Sequence, residues 1–116
     1  MMMPVLQVAL GGALGSVLRF LTVVMIGGPW ATVIVNVAGS FAMGVCFVLL
    51  VDRPGLSPLL MAGVLGGFTT FSAFSLDAMR LGQSGQTAAA LAYVCGSVIL
   101  SLAAIVFGAA LARGLT

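Results

Sequence analysis

Asn36 carries an amide that can donate two hydrogen bonds, and Thr32 stands one helical turn before it on the same face. Tyr93, Ser97 and Ser101 recur every four residues, the spacing that stacks hydroxyls as a stripe along one side of a helix. Phe71 and Phe74 are three apart and project in similar directions if they share a helix. An aromatic ring is electronegative on its faces and electropositive at its rim. Neutral N–H and O–H donors together with ring rims suit a compact anion, and no carboxylate stands among them to attract cations. Each group alone has a structural explanation. Serines bond back to helix carbonyls, an asparagine can staple two helices, and a phenylalanine pair is ordinarily core. Their joint occurrence points to a path for a small solute.

The chain has no His, Glu or Lys, and its only acids are Asp52 and Asp77. Proton-coupled transport needs an ionisable group at depth, and hydrolytic or redox catalysis needs ligands, a base or a partnered nucleophile. None is assembled by this sequence, so passive recognition is expected rather than catalysis. Cys46 and Cys95 both fall within apolar runs, where packing is the expected role and a disulfide or metal site is not. Asp77 with Arg80 three residues on reads as an interfacial pair.

The elements that must position these groups are membrane-spanning. Apolar residues make up 62% of the 116 positions and charged residues 5%, with a mean hydropathy of +1.32, which excludes a soluble domain. Four stretches are long and apolar enough to cross about 30 Å of hydrocarbon. They predict helices over about 4–26, 30–51, 58–80 and 87–112, joined by short connections rich in Gly, Pro, Ser and charge, in a single domain over 1–116. Met1-Met2-Met3 carries no basic residue, so the first segment is expected to be a retained helix and not a signal peptide.

The third stretch contains Gly66-Gly67-Phe68-Thr69-Thr70-Phe71-Ser72-Ala73-Phe74-Ser75, a run of adjacent glycines, hydroxyls and aromatics that an anchor would not need. At bilayer depth a helix is interrupted only where protein or water covers the freed backbone groups. A break near 66–70 is therefore expected, and with it a function.

Charge and small residues both suggest pairing. With four crossings, Arg53 and Arg113 lie on one side, and Arg80 and Arg19 on the other, Arg19 by snorkelling from the first helix. Two against two gives the positive-inside rule nothing to act on, so insertion in both orientations and an antiparallel homodimer are expected. Gly11, Gly12, Gly15, Ser40, Gly44, Gly63, Gly67, Gly108 and Ala112 permit close helix approach, within one copy or between two. The net charge of +2 supports no nucleic-acid or polybasic-lipid partner.

The broken-helix run, with Gly11-Gly12-Ala13-Leu14-Gly15 before Arg19 and with Thr32-Val33-Ile34-Val35-Asn36-Val37-Ala38-Gly39-Ser40-Phe41, resembles the bacterial fluoride channels of the Fluc (CrcB) type. The likeness runs from about Gly11 to Ser101. It implies an all-α membrane protein of the bacterial inner membrane, with four transmembrane helices, the third broken mid-membrane. It further implies a dual-topology antiparallel homodimer and two fluoride pathways. The implied role is protective: fluoride enters as HF, dissociates at the higher internal pH and is trapped, and a passive selective leak releases it.

By the same resemblance, Asn36 matches the pore asparagine, and Phe71 and Phe74 the phenylalanines that meet fluoride edge-on. Tyr93, Ser97 and Ser101 match the polar track, while Thr32 and Arg19 match vestibule positions. The backbone carbonyls of Gly66 and Thr69 match the ligands of a structural Na+ at the dimer interface. Three other readings compete. A small multidrug exporter requires a membrane-embedded Glu, which this chain lacks. A non-conducting assembly subunit requires that changes at Asn36, Phe71 or Phe74 leave ion flux untouched. An intramembrane enzyme requires a catalytic pair.

Overall fold

The computed structural model describes residues 2–116; Met1, the first position of the domain expected over 1–116, lies outside them. The described residues are all-helical: α1 (Met2–Ile26), α2 (Trp30–Leu49), a π-helix (Pro58–Leu65) running directly into α3 (Gly66–Phe68), then α4 (Phe71–Gln83) and α5 (Thr87–Leu115). Four spans are long and apolar enough to cross a membrane, the π-helix, α3 and α4 together forming the third, Pro58–Gln83. At ~1.5 Å per residue the 25 residues of α1 cover hydrocarbon with length to spare.

Backbone chemistry explains where the helices stop. Gly27 and Gly28 both take positive φ, at 76° and 71°, a succession that L side chains resist, so α1 closes there and Pro29 leads into α2 at φ −67°. At the far end of α4, Gly85 sits at φ 83°. Its N–H donates to the Gly82 carbonyl at 3.2 Å, and the Gln86 N–H donates to the Leu81 carbonyl at 3.0 Å. This is the paired bonding of a Schellman stop, and it satisfies carbonyls that the helix end would orphan. Pro58 opens the π-helix, where its missing N–H costs nothing. The loose π winding of the following residues has no counterpart in the apolar pattern, and α5 runs to Leu115 rather than ending near 112.

The helices pack in two pairs through glycine. A Cβ on Gly44 of α2 would meet the Ile105 carbonyl and the Ala109 N–H of α5, and one on Gly108 would meet the Phe41 carbonyl. On the other side, Gly11 and Gly15 of α1 press on backbone of Leu59, Val64 and Phe68, and Gly67 presses on Gly12. The small residues thus bring backbones together within one copy, where no hydrophobic effect would. Gly44→Ala is expected to cost about 1–3 kcal/mol, because the obstructing atoms are main chain and cannot rotate away. Gly96→Ala, whose Cβ meets nothing within 4 Å, is the matched control and should be neutral. The temperature at which each purified variant loses its monodisperse size-exclusion peak checks the pair. Cys95 lies exposed on α5, and Cys46 is half-buried on α2.

Candidate functional site

The third span breaks at two residues. Thr69 (φ −83°, ψ 156°) ends α3 and Thr70 (φ −151°, ψ 126°) precedes α4, both extended, so the helical ladder is interrupted at membrane depth. Side chains take over its bonding. The Asn36 amide reaches from α2 to Thr70 and binds it twice: Nδ2 donates to the Thr70 carbonyl at 2.8 Å, and Oδ1 accepts from the Thr70 N–H at 2.7 Å. In a continuing helix that N–H would serve the Gly66 carbonyl, so the clamp leaves the Gly66 oxygen free. The Thr69 hydroxyl donates to the Leu65 carbonyl at 2.9 Å. The Thr70 hydroxyl caps α4 by accepting from the Ala73 N–H at 3.2 Å. Gly39 lets the Thr69 methyl sit against α2, since a Cβ there would collide with it. Arg19 closes the far side, its Nε–H donating to the Gly67 carbonyl at 3.0 Å.

A cavity of about 340 Å³ opens beside the break. Asn36, Thr69, Thr70, Phe71, Phe74, Ser97 and Ser101 line it together with apolar residues and Ser40, and no ionisable side chain is among them. The Phe71 and Phe74 rings stand 5.2 Å apart, tilted by 49°. Phe74 is buried, whereas Phe71 is 76% exposed on the open side. Ser97 Oγ is buried and has no hydrogen-bond partner among the described residues. A second cavity lies on the other side of Thr70, which lines both. Thr32, Arg19, Arg80 and Asp77 line it, so two cations face one anion at its walls.

The structure therefore groups the sequence-derived residues in three places. Asn36, Phe71, Phe74, Ser97 and Ser101 share the first cavity, with Thr69. Thr32 and Arg19 share the second. Tyr93 lines neither: it is wholly buried between them, stacked on Phe74 at 5.5 Å and meeting Trp30 edge-on at 5.8 Å. Its hydroxyl donates to Asp77 Oδ2 at 3.0 Å, so Asp77 is tied to α5, and among the described residues it forms no ion pair with Arg80. Gly66 lies exposed at the chain's surface beside the break.

Sequence reasoning did not find Gly39, or Thr70 as the residue Asn36 holds. A glycine three residues after a half-buried asparagine, facing a Thr-Thr break, is the signal that was there to read. For Asn36 the structure spends one amide N–H and the carbonyl on Thr70, leaving a single N–H for a solute.

The family described as CrcB-like protein, Camphor Resistance (CrcB), matches residues 6–109. Among curated relatives, the Fluoride-specific ion channel FluC of Paracoccus denitrificans (strain Pd 1222) is 53% identical over 117 residues, covering 95% of this chain and 94% of the relative. The protein of the same name from Cereibacter sphaeroides (strain ATCC 17029) is 54% identical over 121 residues, covering 98% of each. That from Rhizobium meliloti (strain 1021) is 47% identical, covering 96% of this chain and 97% of the relative. With the family matched from the first span into the last and relatives about half identical along nearly their whole length, the chain belongs to the CrcB family.

Proposed function

We propose that this multi-pass membrane protein is a fluoride-selective channel of the bacterial inner membrane that lets cytoplasmic fluoride leave passively. The observation that carries the reading is the first cavity. It offers an amide N–H, the Ser97 and Ser101 hydroxyls and two phenylalanine rims, with no carboxylate and no cation to hold an ion too tightly. Conduction needs sites that are favourable to enter yet weak enough to leave, and neutral donors in series meet that condition. The relatives' printed name supports the choice of ion.

In this reading fluoride arrives in the second cavity, drawn by Arg19 and Arg80 against the single charge of Asp77. Thr32 and Thr70 border the passage into the first cavity. There the spare N–H of Asn36, the rims of Phe71 and Phe74, and the Ser97 and Ser101 hydroxyls replace lost water. Tyr93 acts at the boundary between the cavities, its hydroxyl tethered to Asp77. The same reading makes the chain no enzyme, its donors binding and releasing an ion that they do not alter.

Two copies in opposite orientation complete the pathways. The open side of the first cavity, the exposed Phe71 ring and the many exposed large apolar residues of a single copy support a second copy covering them. The freed Gly66 carbonyl and the Thr69 carbonyl of each copy fit a Na+ at that interface. Oxygen donors of this hard type suit the cation, and a helix C-terminus supplies the negative end of its dipole. Such an ion would hold the two breaks together structurally.

Ser97 yields a specific expectation. Its buried hydroxyl has no hydrogen-bond partner among the described residues, so Ser97→Ala takes no protein hydrogen bond away and thermal stability should hold. Fluoride efflux should nonetheless fall, since the hydroxyl's only use is to a passing ion. The reading as a whole is tested in liposomes with a potassium ionophore. Rapid fluoride loss with chloride retained supports it, and absence of fluoride loss from folded dimers contradicts it.

A further inference from the structure

The break must dispose of the carbonyls at the end of α3, for the last turn of any helix leaves its C=O groups without intrahelical donors. In hydrocarbon each such group is expensive. At this end the Leu65 carbonyl takes both the Thr69 N–H, at 3.0 Å, and the Thr69 hydroxyl. The Gly67 carbonyl takes a side chain from another helix, the Nε–H of Arg19. Gly67 lies between Gly66 and Thr69, and its backbone touches Gly12 of α1, so Arg19, on the same helix, meets the break at a fixed reach. A guanidinium merely snorkelling to the interface would turn its nitrogens outward. This one is half-buried and spends its innermost N–H on main chain.

We infer that Arg19 is a positioning residue: its Nε–H holds the Gly67 carbonyl and so fixes the path of the chain from Gly66 to Thr70, a role separate from its charge. Arg19 also lines the second cavity. Arg19 thereby joins the shape of the break to the cavity through which an anion would come. The consequence for transport rests on the fluoride-channel reading; the consequence for the backbone does not.

Side-chain chemistry separates the two roles. Glutamine carries its Nε2 donor the same number of bonds from Cα as the arginine Nε, without charge. Lysine keeps the charge but places a methylene at that position, and methionine keeps neither. Purified Arg19→Gln, Arg19→Lys and Arg19→Met would be compared by amide hydrogen exchange across residues 66–73 and by fluoride efflux from liposomes. Arg19→Gln should keep wild-type protection of the Thr69, Thr70 and Ala73 amides, whatever the loss of its charge takes from efflux. Arg19→Lys and Arg19→Met should exchange faster there and lose efflux by roughly tenfold or more. Retained protection in all three variants, or protection that follows charge so that lysine succeeds and glutamine fails, would overturn the inference. If the wild type itself passes no fluoride, the channel reading fails, and the exchange comparison still decides the role of Arg19.

Discussion

Asn36→Ala should reduce fluoride efflux by at least ~100-fold. Two causes act together. The substitution removes the one amide N–H that Asn36 has left to offer an ion, and it strips Thr70 of both partners at 2.7 and 2.8 Å. The Thr70 N–H and C=O would then lie unpaired at membrane depth, each at a cost of about 1–3 kcal/mol. The chain's cheapest remedy is to extend the helix through the break, with the Thr70 N–H returning to Gly66. That repair would withdraw the Gly66 carbonyl and turn Phe71 away from the cavity. Asn36→Asp keeps the acceptor for the Thr70 N–H but sets a carboxylate oxygen against the Thr70 carbonyl, so it should fail as well. Efflux from either variant within threefold of wild type would show that the clamp and the spare N–H are dispensable.

Phe71→Ile should bring efflux to the level of protein-free liposomes while leaving the fold intact. Phe71 is 76% exposed in a single copy, so the substitution opens no cavity within it. The loss within the chain is one ring contact with Phe74, worth about 0.5–1.5 kcal/mol. Isoleucine fills similar space but has no electropositive rim, and a fluoride stripped of water would find no partner there. An unchanged melting profile with abolished efflux therefore separates a role in the pathway from a role in packing. Unaltered efflux would support the reading of the chain as a non-conducting subunit.

The four spans and the break were legible because membrane burial writes itself into composition. A run such as Gly66 to Ser75 stands out against hydrocarbon-compatible neighbours, and the structure puts the extended residues at Thr69 and Thr70, inside it. The four-residue spacing that set Ser97 and Ser101 on one face also brings them to one cavity wall. The same spacing could not tell that Tyr93 stands clear of that wall. Its position follows from stacking on Phe74 and from a bond to Asp77, sixteen residues away.

What stayed hidden is long-range. Asn36 and Thr70 are 34 residues apart, and Arg19 and Gly67 are 48 apart, so either partner could be named only once the helix pairs were in register. That register depends on backbone contacts at Gly44, Gly108, Gly11 and Gly15. Small residues announce close approach without saying to what. The π winding of Pro58–Leu65 was equally invisible, since apolar residues on every side carry no period to read.

The most direct measurement of the central claim is the reversal potential of reconstituted protein in a planar bilayer, with a tenfold fluoride gradient and equal chloride on both sides. A fluoride-selective channel reverses close to the fluoride equilibrium potential, about 60 mV in magnitude, and does not shift when chloride is varied. A reversal near zero, or one that follows the chloride gradient, would contradict the assignment of the pathway to fluoride.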